Sequence, residues 1–208
     1  MKLQNRMDVE FKMRNLNILL FAKFETIDAF GPAQIMGRLP EHYKVNCFSM
    51  AGGSVTSWHG IQVETQPISA IATDGILLIP GTSEVKLYIG NQSFLEQLKK
   101  LAEAAPYVMT VCTGSFLLAL TSLLDNHSAT TNKMAFKIVS KACPKVNWVH
   151  KARWVVDGKY YTSSGVSAGM DMAMGFIHDV NGPEVAKQAA LESEYIWNND
   201  KSYDPFAK

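Results

Sequence analysis

Cysteine is scarce in this 208-residue chain, confined to Cys47, Cys112 and Cys143. An odd count with no Cys-x-x-Cys pair excludes a disulfide framework and the usual dithiol and zinc-knuckle patterns. An excess of charge of one sign is also missing. Lys and Arg number 20 against 19 Asp and Glu, a balance of +1, and the basic residues do not cluster with aromatics. The chain therefore lacks the electrostatic footprint of a nucleic-acid or anionic-membrane binder. Long hydrophobic runs are absent too: Leu16 to Ala22 and Gly75 to Pro80 are strand-sized, far short of the roughly 20 apolar residues that span a bilayer. There is no signal-peptide pattern, internal repeat or low-complexity linker. His42, His59, His127, His150 and His178 show no metal-ligand spacing, and no metal is expected. Ser164 to Gly169 is rich in small residues but lacks the Gly-Lys-Ser/Thr ending of a phosphate loop. These absences point to the reducing cytoplasm, with no nucleic-acid and no membrane partner.

What is present is alternation. Hydrophobic content of 47% over this length suits one core of sizeable volume. Strand-like runs at Leu16 to Ala22, Tyr43 to Met50, Gly75 to Pro80 and Tyr107 to Val111 are interleaved with helical patterns at Ile27 to Gly37, Gln92 to Ala104 and Gly114 to Leu123. That order predicts a mostly parallel sheet covered by helices on both faces. Val55 to Pro67, broken by Gly60, reads as short excursion strands. A helix is expected over Lys133 to Lys141, strands over Val146 to Val149 and Arg153 to Val156, a hairpin with Asp157-Gly158 at its tip, and helices over Ser167 to His178 and Glu184 to Asn198. Residues 1–14 read as a flexible leader and 15–208 as a single domain. The last helix ends close to Lys208, so a helix-turn-helix module is not expected.

The stretch from Tyr107 to Leu118 runs an apolar strand directly into a helix with Cys112 at the junction. A side chain on such a turn stands clear of the backbone, and the unpaired N–H groups of a new helix favour an anion there. That is the placement of a nucleophile, with the thiolate as the attacking form. A free cysteine is also commonly a small buried apolar residue, and the local pattern admits both readings. Ligands of open α/β sheets bind at the carboxyl ends of the strands. Near that edge the turn after the first strand offers Glu25 and Asp28, of which Asp28 lies in the apolar part and is expected to face inward. It either complements a helix N-terminus or faces the thiol, where repulsion and desolvation would keep it protonated beside a thiolate. Gly81 permits close backbone approach to a developing negative charge and, with the N–H of Thr113, suggests an oxyanion-type pocket. Cys47 and Cys143 read as packing residues, Trp148 and Trp154 as core, and Asp171 as the centre of a structural hydrogen bond.

Ile27-Asp28-Ala29-Phe30-Gly31-Pro32, Ile79-Pro80-Gly81, Val111 to Ala119, Leu123-Leu124-Asp125, Ala129-Thr130-Thr131 and Thr162 to Asp171 together resemble the ThiJ/PfpI superfamily of the class I glutamine-amidotransferase-like fold. Within it, Asp in an Asp-x-x-Gly-Pro setting is similar to the branch of isonitrile hydratases and the amidase-like domains of AraC-type regulators. The resemblance implies a flavodoxin-like three-layer α/β/α sandwich, a homodimer and a small-molecule substrate, with no cofactor. It also implies Cys112 as nucleophile, Asp28 as its acid partner and Thr113 as contributor of an amide and a hydroxyl, with Gly81, Thr82, Gly114 and Asn132 at the substrate. The reaction implied is hydration of an isonitrile to an N-substituted formamide through a thioimidate on Cys112. Glyoxalase-like, deglycase-like or amidase-like chemistry and redox or stress sensing at the same cysteine are the alternatives.

Two departures bear on that choice. Amidase-like relatives commonly carry His where this chain has Asn132, which cannot act as a general base near neutral pH. Asn132 either binds substrate or caps the following helix. Thr82 follows Pro80-Gly81 where relatives often have a second Gly, which narrows the expected pocket.

Overall fold

The computed structural model describes residues 13–208. The elements follow in the order β1 (Arg14–Leu19), α1 (Thr26–Gly37), β2 (Tyr43–Ser49), β3 (Gly53–Thr56), β4 (Gln62–Pro67), β5 (Ile76–Ile79), α2 (Lys86–Ile89), α3 (Gln92–Ala104), β6 (Tyr107–Val111), α4 (Gly114–Ala119), β7 (Ser128–Ala129), α5 (Phe136–Ala142), β8 (Asn147–Trp148), β9 (Trp154–Asp157), β10 (Tyr160–Ser163), α6 (Ala168–Asn181) and α7 (Pro183–Glu192). Eight strands form one sheet in the order β3-β4-β2-β1-β5-β6-β10-β9, while β7 and β8 form a separate parallel pair. Strands from β4 through β10 run parallel, and the outermost β3 and β9 are antiparallel to their neighbours.

The strand order explains the three layers. From β1 the chain crosses to β2 on one side, and from β5 to β6 on the other; right-handed crossovers then place α1 and α3 on opposite faces. Accordingly α1 packs with α6 and α7, and α3 with α2 and α4. This is the flavodoxin-like arrangement the alternation predicted. β5, whose four residues are all buried, lies in the middle of the sheet between β1 and β6. Leu16, Ile18, Leu78, Met109 and Phe176 are fully buried around it. A Cβ on Gly169 would sit 2.8 Å from a Val111 methyl, so the small residues before and within α6 serve close helix-to-sheet packing.

Several boundaries differ from the sequence expectations. The predicted leader lies outside the described residues over 1–12, but Arg14, assigned to it, opens β1 by pairing with Tyr43. β1 stops at Leu19 rather than Ala22, and α4 at Ala119 rather than Leu123. The last helix ends at Glu192, not Asn198. Glu194 takes φ 48°, its N–H bonds to Leu191 O, and the Tyr195 N–H reaches back to Ala190 O. That is a Schellman stop built without glycine. The freed segment is then held by Asp171, whose Oδ1 accepts from the Tyr195 hydroxyl (2.8 Å) and the Asn198 N–H (3.0 Å). The other Asp171 oxygen pairs with buried Arg153 at 2.6 Å. Arg153 also faces the buried Asp204 carboxylate at 3.6 Å, tying residues 195–204 to α6 and β9.

Candidate active site

Every feature of the site is set by where β6 turns into α4. Cys112 adopts φ 58°, the left-handed region that L-residues other than Gly, Asn and Asp seldom visit. The strain is held by its neighbours: the Cys112 N–H donates to Ser164 O (3.0 Å) and its carbonyl accepts from the Thr131 hydroxyl (2.8 Å). Strain of this kind, on the order of 1–3 kcal/mol, is typical of residues fixed for function. Immediately after it, Gly114 lets α4 start against the end of β5, because a Cβ there would lie 2.3 Å from the Ile79 carbonyl oxygen.

Asp28 comes from the first turn of α1 and is fully buried, whereas Glu25 is partly exposed and accepts from the Ser83 hydroxyl at 2.7 Å. The inward assignment of Asp28 therefore matches the fold. Its Oδ2 accepts the Gly81 N–H at 3.0 Å. A Cβ on Gly81 would lie 2.7 Å from Asp28 Oδ2, 2.8 Å from Thr113 Oγ1 and 2.9 Å from Cys112 Cβ, so carboxyl, hydroxyl and thiol-bearing carbon converge over this one residue. Thr113 Oγ1 accepts from the Thr82 N–H and donates to the Thr82 carbonyl, both at 2.8 Å. The Thr82 hydroxyl donates to Lys23 O at 2.7 Å.

These bonds correct part of the expected division of labour. Gly81 and Thr82, two residues that the resemblance places at the substrate, have their N–H groups taken by Asp28 and Thr113. Gly114 is enclosed by β5 carbonyls. Gly81, Thr82 and Gly114 thus shape the pair rather than line the open space beside it.

Burial dominates the electrostatics. It pushes Asp28 up from its ordinary 3.8 to about 7, against the Gly81 N–H and with the Glu25 charge adding to the rise. Burial also pushes the Cys112 thiol well above its ordinary value, and the Asp28 charge raises it further; the Thr113 N–H and hydroxyl pull the other way. The sequence expectation of a thiolate beside a neutral carboxyl is therefore reversed in the unliganded pair. When one group ionises, it is Asp28, and the proton stays on sulfur. The six residues of α4 do not outweigh desolvation of the sulfur. Asp28 Oδ1 is buried and accepts no bond like the one from Gly81 to Oδ2, while the Cys112 thiol and the Val166 N–H act on the same carboxyl.

Beside the sulfur opens a cavity of about 710 Å³ whose wall includes Cys112, Asn132, Lys133, Lys137, His150 and Phe206. Asp28 is not in this wall; its carboxyl lies over Gly81 together with the Cys112 side chain. Asn132 does not cap the next helix, since α5 starts at Phe136 without a side-chain cap. Its Oδ1 is instead buried without a partner at the cavity wall. His150, packed edge-on against Phe136 at 4.6 Å, Lys137 and Phe206 were missed by sequence reasoning. Only the i, i+4 spacing of Lys133 and Lys137 was a usable signal. Val166, also in the wall, takes φ 40°, an unusual conformation for a β-branched residue, and its N–H helps hold the Asp28 charge. Among the described residues, no group of three His, Cys, Asp or Glu side chains gathers as a metal cluster would.

Residues 14–179 match the DJ-1/PfpI family. The chain belongs to that family. An isonitrile hydratase of Pseudomonas putida is 28% identical over 182 residues, covering 86% of this DJ-1/PfpI chain and 78% of the hydratase. The transcriptional regulator CdhR of Pseudomonas aeruginosa is 25% identical over 171 residues, but this chain spans only 51% of that protein. In three dimensions the fold is that of a ThiJ/PfpI family protein of Pseudomonas syringae, with TM-score 0.78, 23% identity, and coverage of 93% and 81% of the two chains. No helix among the described residues is long and apolar enough to cross a membrane.

Proposed function

We propose that this DJ-1/PfpI protein is a single-domain, homodimeric, cytoplasmic hydratase that uses Cys112 to add water to an isonitrile, R–N≡C, giving the formamide R–NH–CHO. The observation that carries the reading is the Cys112–Asp28 pair, two coupled acids sharing protons around Gly81. In the first step Asp28, ionised near neutral pH, accepts the thiol proton as sulfur attacks the terminal carbon. It then delivers that proton to the same carbon, forming the thioimidate R–N=CH–S–Cys112. Water adds to this carbon, the nitrogen gains a proton, and the C–S bond breaks to release formamide and free thiol. Asn132 Oδ1, otherwise without a partner, accepts the new N–H.

Acyl transfer is less well served. A tetrahedral oxyanion needs preorganised donors; the Gly81 and Thr82 N–H groups are both occupied, which leaves the Thr113 N–H beside the sulfur. The carboxyls of Asp28 and Glu25 are the charges that act on Cys112, and Asn132 stands where amidase-like relatives carry His, so no imidazole at that position serves a leaving amine. In the isonitrile reaction the developing charge sits on the carbon next to sulfur and is quenched by a proton. The regulator relatives leave a ligand-binding role as the contrasting outcome. The test is incubation with an alkyl isonitrile and, separately, with methylglyoxal, for wild type and Cys112→Ala. Formamide from wild type alone supports hydration. Lactate instead moves the assignment to glyoxalase-like chemistry, and neither product removes the enzymatic reading.

A further inference from the structure

The cavity beside Cys112 is far larger than an isonitrile group, and its charge is one-sided. Lys133, Lys137, Lys208 and His150 line it, together with the apolar Met134, Val166 and Phe206, and no Asp or Glu side chain does. Lys133 is fixed in place: its ammonium donates to Ala152 O at 2.6 Å and to the Thr130 hydroxyl at 2.9 Å. The nearest buried acid on that side, Asp204, is faced by the Arg153 guanidinium at 3.6 Å, and Arg153 in turn pairs with Asp171 at 2.6 Å. Lys133 and Arg153 thus balance Asp204 and Asp171. Lys137 and Lys208 are the ammonium groups left over, and of the two Lys137 is the one carried by a helix. Lys137 lies on α5, just after the turn that carries Lys133, is exposed at the cavity wall, and has no acidic partner among the described residues.

From this arrangement we infer that the pocket accepts an isonitrile bearing a carboxylate, with Lys137 receiving the carboxylate and the Phe206 side of the wall covering the apolar spacer between the two ends. The inference rests on the hydratase reading for its reaction, ⁻O2C–R–N≡C plus water giving ⁻O2C–R–NH–CHO. Exposed ammonium groups without a fork of donors suit a monoanion better than a phosphate, which calls for more donors or charges. Lys137 is the specificity-determining residue, remote from the bond that reacts.

Two measurements test it. The first compares kcat/KM for 4-isocyanobutanoate and its methyl ester. Wild type is expected to prefer the acid by about tenfold, chiefly through KM, a preference that Lys137→Met abolishes and Lys137→Glu reverses. The second needs no turnover: alkylation of Cys112, followed at its own peptide by mass spectrometry, with iodoacetate and with iodoacetamide. The iodoacetate-to-iodoacetamide rate ratio should fall about tenfold from wild type to Lys137→Met. Equal handling of acid and ester, or a ratio unmoved by Lys137→Met, overturns the inference. If neither isonitrile is hydrated while the alkylation ratio behaves as stated, the hydratase reading fails and the carboxylate specificity of the pocket stands.

Discussion

Replacing Asp28 by Asn should stabilise the protein at pH 8 and leave its stability near pH 4 almost unchanged. In the native state Asp28 is raised from 3.8 to about 7, first because it is buried and then because of Glu25, while the Gly81 N–H only partly opposes the rise. The unfolded chain releases this proton near pH 4 and the folded protein keeps it until near pH 7. Between those values the native state binds the extra proton, so its stability falls as pH rises. A shift of that size corresponds to about 4 kcal/mol at pH 8, given 1.36 kcal/mol per unit. Asn keeps the shape and can still accept the Gly81 N–H while carrying no charge. For a chain of this length about 1 kcal/mol moves Tm by roughly 2–4 °C, so the variant should melt roughly 8–15 °C above wild type at pH 8. Differential scanning calorimetry of both proteins at pH 4.5, 6, 7 and 8 would measure the gap, and other titrating groups cancel in the difference. A gap independent of pH, or a wild type more stable than the variant at pH 8, would refute the assignment of a strained acid at this position. The same variant should lose any inflection near pH 7 in Cys112 alkylation.

Two further outcomes follow from the geometry. Gly81→Ala forces three atoms 2.7–2.9 Å from the new methyl apart, an overpacking of about 1–3 kcal/mol. It should abolish Cys112-dependent turnover, whereas Gly90→Ala, which meets nothing within 4 Å, should leave Tm and activity near wild type. Asp171→Ala strands the buried Arg153 guanidinium and should cost about 3–5 kcal/mol; limited proteolysis should then cut within residues 195–204 faster than in wild type.

The path from sequence to fold was short where periodicity speaks. The apolar run at Ile76–Ile79 announces a central strand, and the step from Val111 to Gly114 announces the elbow, because each is a local pattern. Asp28 was placed correctly because its neighbours are apolar. Where the deciding contact is distant in sequence, the reading went astray. Glu194 ends the last helix in a conformation usually given to glycine, so nothing local marked the stop. Gly81 and Thr82 are expected at the substrate by resemblance, whereas the structure gives their N–H groups to Asp28 and Thr113. The proton order within the Cys112–Asp28 pair was inverted because it depends on how deeply the sulfur is buried, which no spacing records. His150, Lys137 and Phe206 meet Cys112 only across the folded cavity.

The torsion angle at position 112 has its own consequence for protein engineering. A purely architectural junction between β6 and α4 would be most relaxed with glycine there, since glycine enters the left-handed basin without the roughly 1–2 kcal/mol toll on a side-chain-bearing residue. Knockouts at this site therefore differ in kind: Ala silences the sulfur and inherits the torsional load, while Gly silences it and lets the hinge unwind. Thermostability gained by the second over the first would measure, in isolation, how much tension the scaffold keeps in reserve to present one thiol.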